Sequence, residues 1–268
     1  MAIGDTVFAA SIAAVYDAVL GPFMFEPFAR DMAARLSGAA GDVLEIAAGT
    51  GILTRELDRT LGPTSRIMAT DLNPPMLEMA ARKLSSPRVA WRQADALALP
   101  FGRQSFDAVV CQFGIMFYPD QRAGHAEAAR VLRAGGRYLA SVWDDLSSNP
   151  VTETVHQAAA ACFPHDPPAF FARTPHGSHD IAKLRADLAA SGFRDISIET
   201  VTLPAGRLAA EALACGFCQG TPLRNEIMQR DEGGLDRVTA AVQRALEARF
   251  GDGPIKTTIQ AHVVTGRR

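Results

Sequence analysis

Residues 42–62 read DVLEIAAGTGILTRELDRTLG, and this stretch decides the fold. Its first six residues form a short apolar run typical of a buried strand, and AGTG (48–51) follows as a glycine turn. Leucines then recur at helical spacing from Leu53 to Leu61, before Gly62 and the proline after it end the helix. The stretch therefore predicts a strand, a glycine turn and a helix.

The same alternation continues along the chain. Further strands are predicted at 66–70, 88–93, 106–112, 137–143, 194–203 and 255–265, and further helices at 74–84, 120–134, 151–163, 181–191, 205–215 and 232–249. Residues 1–40 predict one or two amphipathic helices, interrupted at Gly21-Pro22. Strands and helices that alternate in this way predict a doubly wound α/β fold, with a parallel sheet covered by helices on both faces.

Composition narrows the class of protein. The 268 residues include 27 basic and 29 acidic side chains, for a net charge of −2, and 48% are hydrophobic. These values are typical of a globular protein. The slightly negative net charge does not predict the basic surface that binding to a nucleic-acid backbone requires. We expect one large domain with a cap and no nucleic-acid partner.

Signals for export, membranes and metals are missing from the sequence. No Lys or Arg precedes Arg30, and no run approaches the ~18 uninterrupted apolar residues needed to span a bilayer. The four cysteines are too few for a disulfide framework, and Cys215 and Cys218 lack the second pair of a zinc site. We therefore expect a cytoplasmic protein that has reduced thiols, no metal and no membrane partner.

Two acidic residues follow the second and third predicted strands. Asp71 comes twenty residues after Gly51, where a carboxylate can accept hydrogen bonds from both hydroxyls of an adenosine ribose. It can also cap the helix predicted from Pro74, and the two roles are compatible. Asp95 follows the third strand, where it can meet the exocyclic amine of adenine. Because parallel strands end at one edge of a sheet, these features predict a site for an adenosine-containing cofactor.

At this point the sequence resembles the class I S-adenosylmethionine-dependent methyltransferases, specifically the small-molecule group that includes ubiquinone and menaquinone methylases. Five segments carry the resemblance: VLEIAAGTG (43–51), ATDLNPPMLEMA (69–80), QADALALPF (93–101), SFDAVVCQFGIMF (105–117) and RVLRAGGRYLASVW (130–143). It implies methyl transfer from S-adenosyl-L-methionine to a small organic acceptor. It also implies a seven-stranded sheet of order 3-2-1-4-5-7-6, in which 255–265 forms the antiparallel strand.

The resemblance implies ten cofactor-binding residues, which in chain order would surround the methionine moiety, the ribose and adenine, and the sulfonium: Glu45, Ala47, Gly49, Gly51, Asp71, Leu72, Asp95, Ala96, Gln112 and Phe113. Two positions depart from the family pattern. Ala47 replaces the first motif glycine, and Ala134 replaces the proline that often precedes the paired glycines. Both replacements are small, so we expect altered detail and retained binding.

The resemblance also implies how the chain is organised around the acceptor. Residues 41–146 would form the cofactor core, 1–40 and 147–180 helical lids, and 181–268 the rest of the sheet with a helical insert. Four aromatic residues are candidates for acceptor contacts: Tyr16, Trp143, Phe170 and Phe171. No general base is assigned, and the candidates are three histidines near the second lid: His165, His176 and His179. His125 has helical spacing with Ala128, Ala129 and Leu132, and it is expected at a core or boundary position.

Alternatives stay open on the sequence alone. A nicotinamide-dependent oxidoreductase would need a third glycine in the first helix turn, where Ile52 and Leu53 stand instead. A protein that binds S-adenosylmethionine without catalysis would carry the same motifs. Asn73-Pro74-Pro75-Met76 is similar to the box of amino-group methyltransferases of DNA and protein, but it follows the second strand instead of the fourth. A macromolecular substrate is opposed by the charge balance.

Overall fold

The computed structural model describes residues 10–38 and 41–268. In this part of the chain seven strands form one sheet: β1 (Asp42–Ile46), β2 (Arg66–Asp71), β3 (Val89–Gln93), β4 (Phe106–Gln112), β5 (Leu132–Trp143), β6 (Arg194–Pro204) and β7 (Thr258–Arg267). Their order is β3-β2-β1-β4-β5-β7-β6. The first five strands pair in parallel, and β7 is antiparallel to β5. The fold class and strand order expected from the sequence are confirmed.

The described part of the chain also has eleven α-helices. They are α1 (Ala10–Val15), α2 (Glu26–Leu36), α3 (Ile52–Thr60), α4 (Pro74–Lys83), α5 (Gln121–Val131), α6 (Pro150–Ala161), α7 (Phe170–Arg173), α8 (Ile181–Ala190), α9 (Ala210–Gln219), α10 (Leu223–Arg230) and α11 (Leu235–Phe250). Single turns of 3₁₀ helix lie at Ile115–Phe117 and Leu146–Ser148. The short helices α7 and α10 are absent from the sequence-based prediction.

The predicted interruption at Gly21-Pro22 is wrong. Wide π-helical turns at Tyr16–Phe25 join α1 to α2 without a break, and the Glu26 N–H donates to the Gly21 carbonyl five residues earlier. A proline removes one backbone donor, and the wider turn accommodates it by shifting the hydrogen-bond pairing by one residue. The run Ile12–Leu36 is long and apolar enough to cross a membrane by length and composition, and half of its most apolar window is buried inside the protein.

The predicted boundary between α5 and β5 is also wrong. The sequence places residues 120–134 in a helix, whereas α5 ends at Val131 and β5 begins at Leu132. Leu132 pairs with Phe106, but the register against β4 shifts between Phe106 and Ala108, so that residues 133–136 of β5 loop out of the ladder. Gly135, with a φ of 74°, permits this bulge.

The chain divides into two compact units. One, here called the sheet unit, comprises Phe28–Trp143, Ser178–Val201 and Ala261–Arg268. The other, the helical unit, comprises the described residues up to Pro27, together with Asp144–Gly177 and Thr202–Gln260. The ten predicted cofactor-binding residues and Trp143 lie in the sheet unit, whereas Tyr16, Phe170 and Phe171 lie in the helical unit. Of the predicted N-terminal lid, residues 1–9 and 39–40 lie outside the described chain.

The core of the sheet unit follows from its strand sequences. Val43 and Leu44 of β1 and Val109 and Val110 of β4 are buried on both faces of the sheet. Continuous apolar strands of this kind are typical of parallel sheets that helices cover on both sides. Because β2, β1 and β4 are neighbours and run parallel, their carboxyl ends lie at one edge of the sheet.

A buried histidine lies between α5 and β5, as expected from its helical spacing. The His125 side chain is 1% exposed, and its Nδ1 lies 3.1 Å from the hydroxyl oxygen of Tyr138. Burial lowers the pKa of His125 to about 4, although the carboxylate of Asp187 on α8 opposes the shift and Lys183 adds to it. The unfolded chain therefore binds this proton more tightly than the folded one.

We expect acid to destabilise the protein through His125. Stability from the neutral imidazole is full above the unfolded pKa near 6.5 and is lost as pH falls toward about 4, a loss of at most ~3 kcal/mol. Denaturant unfolding at several pH values measures it. In His125→Gln, whose amide still reaches Tyr138, stability should fall less between pH 6.5 and pH 4 than in the wild type. Parallel pH profiles for the two proteins would contradict the prediction.

Candidate functional site

The loop after β1 has one packed side and one open side. Ala47, Gly49 and Gly51 all have positive φ angles, of 56°, 55° and 77°. A Cβ on Gly51 would lie 3.0 Å from both Ala80 Cβ and Trp91 Cη2, so a side chain there would press on α4 and β3, and the positive φ also favours glycine. A Cβ on Gly49 would meet no atom within 4 Å. The loop is therefore closed behind Gly51 and accessible to a ligand at Gly49.

Asp71 joins the ends of β1 and β2. Its Oδ2 accepts a hydrogen bond from the Gly49 N–H at 2.8 Å, and its Oδ1 accepts one from the Asn73 N–H at 2.8 Å. Burial raises the pKa of the carboxyl, and these two amides act in the opposite direction. The Asn73 side-chain amide also donates to Oδ1, at 3.4 Å, so the acceptor position left for a ligand hydroxyl is mainly on Oδ2.

The residues after β2 and β3 are more open. Leu72 is 49% exposed and follows the buried Asp71 directly. Asp95 is exposed and its Oδ1 accepts the Leu97 N–H at 2.9 Å, while Ala96 is buried. The edge therefore offers an apolar surface at Leu72 and a carboxylate at Asp95.

An ion pair on α5 holds the loop that follows Asp95. Glu127 Oε2 accepts the Leu99 N–H at 2.9 Å, and Arg130 donates to the carbonyls of Leu99 and Phe101 at 2.9 and 2.8 Å. The two side chains bond each other at 2.6 Å, and the Arg130 guanidinium lowers the pKa of Glu127. Sequence reasoning missed this pair, because the i, i+3 spacing of the two charges on a helix is also typical of a solvated surface.

Glu45 lies beneath the glycine loop, inside the sheet. It is 1% exposed, and its Oε2 accepts a 2.6 Å hydrogen bond from the Thr54 hydroxyl of α3. Burial raises the pKa of Glu45 to about 8, and the negative charge of Asp71 adds to the shift. At neutral pH the carboxyl is therefore mostly protonated.

The residue after β4 has a left-handed backbone conformation. Phe113 has a φ of 53°, and its N–H donates to the Ser141 carbonyl at 3.1 Å. Its ring stacks on Trp143 with centroids 3.8 Å apart, and Phe28 meets it edge-on at 5.3 Å. The left-handed backbone costs a residue other than glycine roughly 1–2 kcal/mol. Two aromatic pairs at ~0.5–1.5 kcal/mol each are enough to offset that cost.

The same turn packs against the glycine loop. A Cβ on Gly114 would lie 2.5 Å from Ala47 Cβ and 2.7 Å from Cys111 Sγ, so the two backbones approach more closely than a side chain would permit. Gln112 is half-buried just before the turn. The methyl group at Ala47 thus occupies the place where the turn after β4 meets the loop after β1.

These residues fit an adenosine-containing cofactor with a methionine moiety. Thr50 Oγ1, in the glycine loop, is buried without a hydrogen-bond partner in the described chain, which leaves a donor and acceptor for a ligand. The open side of Gly49, the remaining acceptor position of Asp71 and the exposed Leu72 lie at the ends of β1 and β2. Among the residues described, no cluster of three or more His, Cys, Asp or Glu side chains is able to hold a metal.

The candidate residues for the acceptor have varied surroundings. His165 is exposed, His179 is half-buried, and His176 is buried with its Nδ1 2.7 Å from the Asp144 carbonyl oxygen. Tyr16 stacks on Phe25 with centroids 4.7 Å apart.

Phe170 and Phe171 form a buried aromatic pair on α7. Their ring centroids are 5.1 Å apart, and Phe171 also meets Phe217 at 5.6 Å. Sequence reasoning also missed Glu226 of α10, which accepts hydrogen bonds at the start of α7 from the N–H groups of Ala169 and Phe170, at 2.9 and 3.2 Å.

The part of the chain that contains the ends of β1, β2, β3 and β4 matches a known protein family. A family model described as a methyltransferase domain matches residues 43–136. Residues 43–136 form a class I methyltransferase domain. The resemblance stated from the sequence is confirmed over this domain. Its sheet continues with an antiparallel β7 between β5 and β6, which the six-stranded parallel sheet of nicotinamide-dependent enzymes lacks.

Relatives and solved structures agree with this domain. The ubiquinone/menaquinone biosynthesis C-methyltransferase UbiE of Saccharophagus degradans is 41% identical over 101 residues, which are 36% of this chain and 41% of that protein. The chain thus matches less than half the length of such relatives. The YcgJ protein of Bacillus subtilis has a TM-score of 0.58 at 20% identity, over 90% of this chain and 98% of the other.

A third similar protein is solved with a ligand. Phosphoethanolamine N-methyltransferase 2 of Haemonchus contortus, in complex with S-adenosyl-L-methionine, has a TM-score of 0.61 at 16% identity, over 97% of this chain and 57% of the other. At these identities the solved structures establish the fold of the methyltransferase domain.

We expect Glu45→Gln to stabilise the free protein. The folded carboxyl keeps its proton up to about pH 8, whereas the unfolded one loses it near 4.5, so the wild type loses stability as pH rises through that window. The amide cannot ionise, and the variant should gain up to ~3 kcal/mol at pH 7, with a smaller gain near pH 5. Urea unfolding across this pH range measures the difference.

Glu127→Gln is the matched control. The pKa of Glu127 is lowered by Arg130, so this variant should lose stability at neutral pH and less in acid. A gain for Glu45→Gln that is equal at pH 5 and pH 7 would show that Glu45 is ionised when buried.

Proposed function

We propose that this protein is an S-adenosylmethionine-dependent methyltransferase that methylates a small organic acceptor. The observation that carries the proposal is the bond between Asp71 and the Gly49 N–H, which joins the ends of β1 and β2 beside an open glycine. A carboxylate in this place can accept hydrogen bonds from the hydroxyls of an adenosine ribose. The methionine moiety needs backbone that it can approach closely, and Gly49 leaves such backbone uncovered.

Ten residues of the methyltransferase domain would hold the cofactor: Glu45, Ala47, Gly49, Gly51, Asp71, Leu72, Asp95, Ala96, Gln112 and Phe113. Asp71 would accept the ribose hydroxyls, and Leu72 would cover the adenine with its exposed side chain. Asp95 would accept the adenine amine. Glu45 and the glycine loop would face the methionine moiety, and Gln112 and Phe113 the sulfonium.

When bound, the cofactor supplies a methyl group on a positively charged sulfur, which is already activated for displacement. The protein's task is then to align the acceptor atom with the methyl group and to exclude water. Alignment of two reactants is worth ~7–11 kcal/mol, so a general base is optional. If the acceptor needs one, His165, His176 and His179 are the candidates. The tautomer of His176 is fixed by the Asp144 carbonyl, since Nδ1 must carry the proton that it donates.

We further propose that the acceptor is small and partly apolar. Tyr16, Trp143, Phe170 and Phe171 are the aromatic candidates for its binding, and residues 1–40 and 147–180 the lids. The quinone-pathway relatives are named for methylation at carbon, which agrees with this acceptor class. The net charge of −2 does not suit a nucleic acid, and we propose a cytoplasmic protein with no membrane partner.

A transfer assay tests the function directly. Purified protein is incubated with S-adenosylmethionine labelled at the methyl group and with a panel of small acceptors, and products are screened by mass spectrometry for one added methyl. A product that carries the label supports the proposal. Cofactor binding without any product would favour a non-catalytic binding protein, and binding of a nicotinamide dinucleotide alone would favour an oxidoreductase.

Replacing Asp71 should weaken cofactor binding. Asp71→Ala removes the acceptor for both the ribose hydroxyls and the Gly49 N–H, and we expect the dissociation constant of S-adenosylmethionine to rise tenfold or more, on the order of one lost charge-assisted bond. Calorimetric titration measures it. Asp71→Asn keeps a carbonyl for one of these donors and should lose less affinity. Full affinity in Asp71→Ala would mean that the ribose is held elsewhere.

Glu226 gives a test of the second lid. It accepts the N–H groups of Ala169 and Phe170 and bonds the Arg173 guanidinium at 2.7 Å. Glu226→Gln removes the charge that fixes the start of α7, so we expect the KM for the acceptor to rise severalfold while the dissociation constant of the cofactor stays unchanged. Glu211→Gln, an exposed acid on α9, is the control. An unchanged KM would argue against an acceptor role for this lid.

A further inference from the structure

Two aromatic rings in the sheet unit pack against a third, which belongs to a strained residue. Phe28 of α2, Phe113 after β4 and Trp143 at the end of β5 contact one another in pairs. Phe28 is perpendicular to both other rings, at 86° and 90°, while Phe113 and Trp143 are within 4° of parallel. All three side chains are buried. The ring of Phe113 therefore has little room to change its direction.

The direction of this ring is tied to the backbone conformation. Phe113 has a φ of 53°, which a phenylalanine adopts only when its surroundings fix it. Its N–H donates to the carbonyl of Ser141, and the Ser141 hydroxyl oxygen lies 3.2 Å from the same nitrogen. One strand pair and two aromatic neighbours thus fix the residue. If the rings were removed, the ordinary right-handed or extended conformations would become accessible.

The left-handed conformation at Phe113 places the next residue against the glycine loop. The residue that follows, Gly114, lies so close to Ala47 that a Cβ would be 2.5 Å from the alanine methyl group. Ala47 itself has a positive φ and precedes the loop whose Gly49 N–H bonds Asp71. A change of conformation at Phe113 would therefore move the backbone on which the loop rests.

We propose that Phe28 and Trp143 are positioning residues for the cofactor, which act by holding Phe113 in the left-handed conformation that places the Gln112–Gly114 turn against the glycine loop. This inference rests on the proposed function, because it assigns the rings to the cofactor site. Neither side chain needs to touch the cofactor in this role.

A comparison of glycine with alanine at position 113 tests the inference. Trp143→Leu should raise the dissociation constant of S-adenosylmethionine about tenfold, and Trp143→Phe, which keeps a ring, should raise it less. In the Trp143→Leu background, Phe113→Gly should bind the cofactor about tenfold more tightly than Phe113→Ala, because glycine adopts a positive φ without strain. Both double variants lack the phenylalanine ring, so their difference reports on the backbone alone.

Amide hydrogen exchange provides a readout that does not need the cofactor. The Phe113 N–H should exchange faster in Trp143→Leu than in the wild type, and Phe113→Gly should restore its protection more fully than Phe113→Ala. Phe28→Leu in place of Trp143→Leu gives a second background if the first variant does not fold. Equal affinities of the glycine and alanine variants, in a protein whose wild type binds S-adenosylmethionine, would overturn the inference alone. A wild type that binds no S-adenosylmethionine would overturn the proposed function and this assignment with it.

Discussion

The carboxylate of Asp71 accepts the Gly49 N–H at 2.8 Å, and the edge of the sheet that we assign to the cofactor depends on that bond. It crosses from the end of β2 to the loop after β1, beside the backbone bond from the Ala48 N–H to the Thr70 carbonyl at 2.9 Å. The second oxygen of the carboxylate bonds the Asn73 N–H, so the side chain also fixes the entry into α4. A neutral side chain of the same size would make weaker bonds to both amides.

Two buried carboxyl groups, Glu45 and Asp71, lie at the ends of neighbouring strands. Both have raised pKa values because burial disfavours their charged forms, and the negative charge of Asp71 further raises the pKa of Glu45. Asp71 has two backbone donors that stabilise its charge, whereas Glu45 has one hydroxyl from Thr54. Glu45 is therefore mostly neutral at pH 7, whereas Asp71 has the donors that favour its charged form. A cofactor with a positive charge is well matched to such an edge, since it stabilises ionised carboxylates.

The domain also uses left-handed backbone at residues other than glycine. Ala47 and Phe113 both have positive φ angles, and they end β1 and β4, which pair directly in the sheet. Alanine at position 47 is tolerated because its small methyl group fits beside Gly114. Phenylalanine at position 113 is tolerated because aromatic neighbours stabilise it. Strained residues of this kind are common at functional sites, where the surrounding packing fixes one conformation.

The sequence by itself determined the strand-turn-helix at 42–62, the alternation that follows it and the acid at Asp71, because hydrophobic periodicity and glycine placement are local signals. Only the tertiary structure decided the π-helical turns that contain Pro22 and the bulge before Arg137. It also decided the hydrogen bonds from Glu127 and Arg130 to the Leu99 backbone and the packing of rings against Phe113. Each of these features depends on contacts between residues far apart in the chain or on backbone strain that packing offsets. Long-range contacts and strain leave no periodic pattern in the sequence. Local preference places the strand ends, and long-range packing sets the conformation of the loops between them.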